Sequence, residues 1–177
     1  MTSWVVVALI LAATVGCKER KMFVLSADEL ASFQIVVPVQ GSAAEKRAAE
    51  VLQQYLERVT GFELAVVGDD QPKKEREILL GDNARVRELG IEIDFPALKA
   101  DGFAIKTVDG RLVIAGGSEK GTLYGVYAFL EEYLGCRKYS PEVEVVPALE
   151  RIELAAIDPT QVPVIEFREA YYRLAGD

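Results

Sequence analysis

Two apolar runs, Phe103–Val108 and Arg111–Ala115, are separated by Asp109 and Gly110 alone. A two-residue connection leaves the flanking segments one arrangement, as neighbouring antiparallel strands. Asp-Gly suits it because a type I′ turn demands positive φ at both central positions. A sheet is therefore seeded here, and other segments must cover or extend it.

The cover is legible in the periodicity. Ala44, Ala48, Val51, Leu52, Tyr55, Leu56 and Val59 recur at three- and four-residue spacing, while Glu45, Lys46, Arg47, Glu50, Gln53 and Glu57 take the other face and Gly61 marks the stop. After Gly116-Gly117 the same rule predicts a second helix from about Ser118 to Leu134, with Ser118 as its N-cap, Leu123, Val126, Tyr127, Leu130 and Leu134 on one face, and Gly135 ending it. Further strands are predicted at Phe33–Val37, ended by Pro38, at Glu63–Val67, and at Ile78–Leu80. The last is wholly apolar, which predicts burial on both faces at the sheet centre. Gly68–Pro72 and the charged run to Glu77 read as a surface excursion, and 84–89 as at most a short helix. The reading is an α+β domain over 33–140, a mixed sheet of four or five strands covered by two helices. Residues 141–163, with four prolines and short apolar runs at Val143–Val146 and Ile152–Leu154, read as a linker with edge strands.

The N-terminus reads as an address. Val5–Gly16 is apolar or small apart from Thr14, the length of a signal-peptide core and too short to span a bilayer comfortably. It closes on Thr14-Val15-Gly16-Cys17, which resembles the bacterial lipobox, so residues 1–17 are expected to be a signal peptide with Cys17 lipidated, and 18–32 a tether opening with Lys18, Glu19 and Arg20. Plain secretion and an uncleaved anchor are the alternatives, and each places the domain outside the cytoplasm. With Cys17 acylated, Cys136 has no intramolecular disulfide partner and reads as a small apolar filler.

Composition narrows the chemistry. The 177 residues contain no histidine, which removes an imidazole base, a Ser-His-Asp triad and His-containing zinc sites. The two cysteines lack CxxC spacing, so neither a metal nor a cofactor is expected. With 28 acidic against 20 basic residues, a formal charge of -8 and no basic patch, nucleic acid is not an expected partner. Gly116-Gly117-Ser118-Glu119-Lys120-Gly121-Thr122 has a P-loop's outer spacing between a strand and a helix, but Thr122 stands where the phosphate-neutralising lysine belongs. A tight turn is the simpler use. Asp69, Asp70, Asp82, Glu131 and Glu132 are the carboxylates on offer for acid–base work. Cleaving a glycoside requires two carboxyl groups opposed across roughly 5–9.5 Å, whereas adjacent residues point apart, so no catalytic residue is assigned. Tyr124, Tyr127, Phe129 and Tyr133 could form a sugar platform, though aromatics at helical spacing more often fill a core.

Three segments together carry a resemblance: Tyr55-Leu56-Glu57-Arg58-Val59-Thr60-Gly61, Ile78-Leu79-Leu80-Gly81-Asp82, and Gly116 through Tyr127. With Arg137-Lys138-Tyr139-Ser140-Pro141 they make the region Phe33–Pro163 similar to the N-terminal domain of bacterial β-hexosaminidases and family 67 α-glucuronidases. The resemblance implies a zincin-like α+β fold without the metal motif, a non-catalytic role, and a (β/α)₈ barrel partner that does the chemistry. Such a barrel takes about 250 residues, and the chain has none to spare after Pro163, so the active site is expected to be absent. The resemblance also likens 164–177 to the start of a truncated catalytic barrel, with Arg168 placed to contact sugar hydroxyls; the plainer reading of Arg168 is a surface arginine.

The functional expectation is therefore the non-catalytic N-terminal domain of an exported glycoside hydrolase of polysaccharide breakdown, held at the bacterial envelope by lipid or secreted. The alternatives are a stand-alone carbohydrate-binding lipoprotein and, less simply, a nucleotide binder at the Gly116–Thr122 turn.

Overall fold

The computed structural model of the protein describes residues 22–118 and 120–163. The Asp-Gly hairpin forms as its sequence dictates. Strands β5 (Phe103–Val108) and β6 (Arg111–Gly116) pair antiparallel from Phe103 opposite Gly116 to Val108 opposite Arg111, and Asp109 (φ 49°) and Gly110 (φ 80°) both take the left-handed backbone the turn requires.

The sheet built around it has six strands, more than the four or five expected. Beside β6 lie β4 (Arg76–Leu80), β2 (Phe33–Val37) and the short edge strand β3 (Val66–Gly68), all parallel to it. Beside β5 lies the two-residue strand β10 (Thr160–Gln161), antiparallel to it, so β5 alone runs against the others. The strand β4 is central, and its apolar stretch Ile78–Leu80 divides between two faces: Ile78 and Leu80 pack into the main core with Ile35, Leu112 and Ile114, while Leu79 faces a smaller cluster of Val36, Val86, Val113 and Ala115.

Both long helices cover the main-core face. Helix α1 (Ala43–Thr60) is defined at both ends by its sequence. Ser42 and Glu45 form a reciprocal capping box, the Glu45 amide donating to the Ser42 hydroxyl at 3.2 Å and the Ser42 amide to the Glu45 carboxylate at 2.8 Å, and Gly61 (φ 78°) closes the helix. Helix α3 (Gly121–Glu132) packs beside it and buries Val126, Phe129 and Leu130. The five-residue α2 (Ala84–Glu88) and the partly buried Ile91, Ile93 and Phe95 cover the opposite face.

Three expectations are corrected. The described part of the expected tether is not outside the fold: Phe23–Ser26 forms strand β1, whose Phe23 and Leu25 are core residues, with Phe23 packed edge-on to Phe33 at 5.4 Å. Its partner is β9 (Arg151–Leu154), from the expected linker, which buries Ile152 and Leu154 against the same core. The edge strands expected in that linker at Val143–Val146 and Ile152–Leu154 exist, as β8 (Glu144–Val145), paired with β7 (Arg137–Lys138), and β9, but they are integral to the packing, and β10 is a third that was not expected. Finally, Ser118 does not cap α3. Its amide instead donates to the Lys99 carbonyl at 3.1 Å, and the helix starts at Gly121 with no side-chain cap.

Candidate functional site

In open sheets with parallel strands, ligands settle beyond the C-terminal strand ends where successive connections leave to opposite faces. That reversal falls here between β2, which leads into α1 on the main-core face, and β4, which leads into α2 on the other. The crevice beyond Val37 and Leu80 is thus the first place to look for chemistry.

The chain's own carboxylates line it. Asp69 accepts hydrogen bonds from the amides of Val39 (3.0 Å) and Ala84 (2.9 Å). Burial alone would push the Asp69 carboxyl upward, but these amides and the nearby Arg85 outweigh it and hold the group below its ordinary value. The Glu45 carboxylate, held by the Ser42 amide, lies against Gly81 so closely that a Cβ there would meet its oxygen at 2.0 Å. Amides that could hold a ligand's anionic group are engaged by these two acids.

The Gly116–Thr122 turn borders an open groove of about 690 Å³ that Glu45, Asp82 and Lys99 also line, but its glycines are spent on packing. A Cβ on Gly116 would fall 1.8 Å from the Thr122 nitrogen, one on Gly117 1.9 Å from the Lys99 carbonyl oxygen, and one on Gly121 2.2 Å from the Gly102 carbonyl oxygen. These glycines let three backbone segments touch. The Gly117 amide donates to the Gly102 carbonyl at 2.8 Å and Ser118 to Lys99, so the turn aims these two donors at protein and away from a phosphate.

The remaining acidic candidates are not brought together. Asp70 accepts from Gln71 (3.2 Å), Asp82 pairs with Arg87, Glu131 lies 3.6 Å from Arg137, and Glu132 accepts from Gln161 (3.4 Å). Of the four aromatics, Phe129 is core and stacks on the half-buried Tyr133 at 5.8 Å, Tyr124 is half-buried, and Tyr127 is exposed. Cys136 is buried in the main core as a filler, and burial pushes its thiol up. Cys17 and Arg168 lie outside the described residues. Among the described residues no group of three or more acidic or thiol side chains is placed to hold a metal ion. A groove of about 750 Å³ runs beneath the α2 face between Arg87, Glu92, Asp94, Phe95 and Lys106, charges of both signs on an open surface.

Two polar clusters escaped the sequence reading, and both are architectural. Arg85 on α2 and Glu77 on β4 form an ion pair that is 1% and 2% exposed. Glu77 also accepts from Gln34 (2.8 Å) and the Lys74 amide (3.1 Å), while Arg85 donates to the Gln71 carbonyl at 2.6 Å, fastening the 68–72 excursion to the sheet. The second cluster joins α1 to the β7–β8 hairpin. Glu144 accepts from the Tyr55 hydroxyl and pairs with Arg58 at 2.7 Å, with Arg58 stacked 5.1 Å over the Tyr55 ring. Burial, then the Glu144 contact, push the Tyr55 phenol up to about 12, and Arg58 with Tyr55 hold Glu144 below its usual range.

Comparison with known proteins gives relatives of the fold. A family GH115 4-O-methyl-α-glucuronidase with specificity for decorated arabinogalactans matches 82% of this chain with a TM-score of 0.61 at 21% identity. The Streptomyces plicatus N-acetyl-β-hexosaminidase and the GH20 β-N-acetylhexosaminidase of Streptomyces coelicolor A3(2) each match 83% with a TM-score of 0.52, at 16% and 15% identity. These likenesses show a common fold, and the chain spans only 19% of the first of these proteins and 24% of the other two. No curated protein matches the chain in sequence. The family described as glycosyl hydrolase family 67 N-terminus matches residues 24–129, more than half of the chain, and this protein belongs to that family.

Proposed function

We propose that this chain is the non-catalytic N-terminal domain of an exported glycoside hydrolase, α-glucuronidase or β-hexosaminidase-like, that takes part in polysaccharide breakdown. A (β/α)₈ barrel, in a longer parent or a neighbouring chain, would perform the chemistry, and Cys17 would hold the assembly at the membrane by a lipid anchor. The observation that carries the reading is the family match over 24–129 together with the crevice whose amides are already engaged. The place where an α/β sheet takes ligands is lined by Asp69 and Glu45, and each other acidic candidate has a partner of its own. A domain so built supplies packing surface to its neighbour.

The test is affinity isolation of the protein from the envelope fraction of its own cells, followed by assay with aryl α-glucuronides and aryl β-N-acetylglucosaminides. The reading predicts that a glycosidase co-isolates, on the same polypeptide or a bound one, and that Cys17→Ser releases it from the membrane. Isolation free of glycosidase activity would refute it.

A further inference from the structure

We propose that the tip of the β7–β8 hairpin rests in the interfacial layer of the bilayer to which Cys17 tethers the chain, seating the domain on the membrane at a second point. This rests on the lipid-anchor reading above.

The hairpin bears an unusual surface. Tyr139 is 71% exposed, Val143 54% and Val145 49%, a cluster of large apolar side chains on a turn closed by the Tyr139 amide donating to the Val143 carbonyl at 2.9 Å. Scattered apolar residues need no explanation, but three on one short turn mark an interaction site. The next residue, Val146, packs on the main core, so the strand is not apolar for lack of a buried face.

The topology says what lies opposite that tip. Helix α1 follows β2 and runs back along the sheet, so its last turn lies at the end where the parallel strands begin. There Arg58 holds Glu144 of the hairpin at 2.7 Å and the Val59 carbonyl accepts from Leu149 at 2.7 Å. β1 is held at the same end, because Arg76, the first residue of β4, donates to the Val24 carbonyl at 3.2 Å and stacks 5.9 Å over Phe33, the first residue of β2. The incoming chain and the hairpin therefore share one pole, whereas β10 leads the chain past Phe103 toward the other. Five residues, Lys18–Met22, separate Cys17 from β1, so the six steps from Cys17 to Phe23 reach at most about 21 Å. A lipid on Cys17 thus confines this pole to the membrane surface. The tether's Lys18, Arg20 and Lys21 against one Glu19 suit anionic headgroups. Aliphatic Val143 and Val145 flanking an aromatic ring fit the headgroup–acyl boundary, where tyrosine concentrates, better than a sugar, which would ask for aromatic faces and polar groups.

The test uses the mature acylated chain in phosphatidylethanolamine–phosphatidylglycerol vesicles. Its sole tryptophan is Trp4, in the segment that signal cleavage removes, so Tyr139→Trp adds a lone reporter, with Lys120→Trp at the opposite pole as the control. The hairpin indole is expected to shift to the blue and be quenched by brominated lipid, while the control stays at the emission of exposed indole. Acylated, vesicle-bound protein whose hairpin indole is unquenched would overturn the inference and leave the anchor standing. Absence of an acyl group on Cys17 would overturn both, and a blue shift driven by soluble glucuronoxylan without lipid would assign the tip to glycan instead.

Discussion

Replacing Arg85 with Met removes the cation of an ion pair whose partners are 1% and 2% exposed, and leaves Glu77 charged in the interior. Breaking a buried pair from one side costs about 3–5 kcal/mol, because the remaining charge keeps its desolvation penalty without its partner. Here Glu77 retains the Gln34 amide at 2.8 Å and the Lys74 amide at 3.1 Å, which places the loss near the lower figure. The carbonyl of Gln71 loses its 2.6 Å donor as well. The expected loss of about 3 kcal/mol corresponds to a fall of about 10 °C in Tm for a domain of this size. Adding Glu77→Gln removes the stranded charge, so the double variant should lose less than the sum of the two singles by more than about 1 kcal/mol. Urea unfolding followed by circular dichroism measures all three. Arg85→Met within about 1 kcal/mol of the parent, or strict additivity, would refute the claim that this pair is the internal fastening of the 68–72 excursion.

Three further outcomes follow from the same packing. Gly116→Ala forces a Cβ to within 1.8 Å of the Thr122 amide and should cost about 3 kcal/mol or abolish folding, while nucleotide should leave the parent's Tm unchanged in a thermal-shift assay; stabilisation by nucleotide would revive the phosphate-loop reading. The folded-state carboxyl of Asp69 is depressed, so its contribution is present above 3.8 and is lost as pH falls through its folded value; Asp69→Asn should be about 1.5–3 kcal/mol less stable at neutral pH and show a shallower acid loss by urea titration. The Tyr55 phenol is raised from 10.0 to about 12, so its contribution is full below pH 10 and lost between 10 and 12; Tyr55→Phe should flatten the fall in stability across that window relative to the parent.

What the sequence made legible is what short-range physics decides. The Asp109-Gly110 hairpin, the stripe of α1 with its Gly61 stop, and the two-faced burial of Ile78–Leu80 each follow from neighbours within one turn or one strand. Of the β1–β9 ribbon only the Ile152–Leu154 strand was legible; β1 and the pairing itself were not, because four residues more than a hundred positions from their partner are defined only by tertiary contact. Ser118 was misread for a related reason. Its residue type suits an N-cap, but the close backbone approach of Gly116, Gly117 and Gly121 to the 99–102 segment decides where α3 begins. Glu77 and Arg85 stood in charged surroundings that look solvated, and nothing local shows that the chain folds them under a loop. The Gly-rich turn lacks the phosphate-neutralising lysine in sequence, and the structure adds a second reason, that the Gly117 and Ser118 amides are already bonded to Gly102 and Lys99.

The central claim is that this domain packs and positions but does not cut a glycosidic bond. Incubating the purified chain with aryl α-glucuronides and aryl β-N-acetylglucosaminides measures it directly. The account predicts release of aryl alcohol at the uncatalysed rate. Turnover abolished by substituting a carboxylate within residues 22–163 would contradict it.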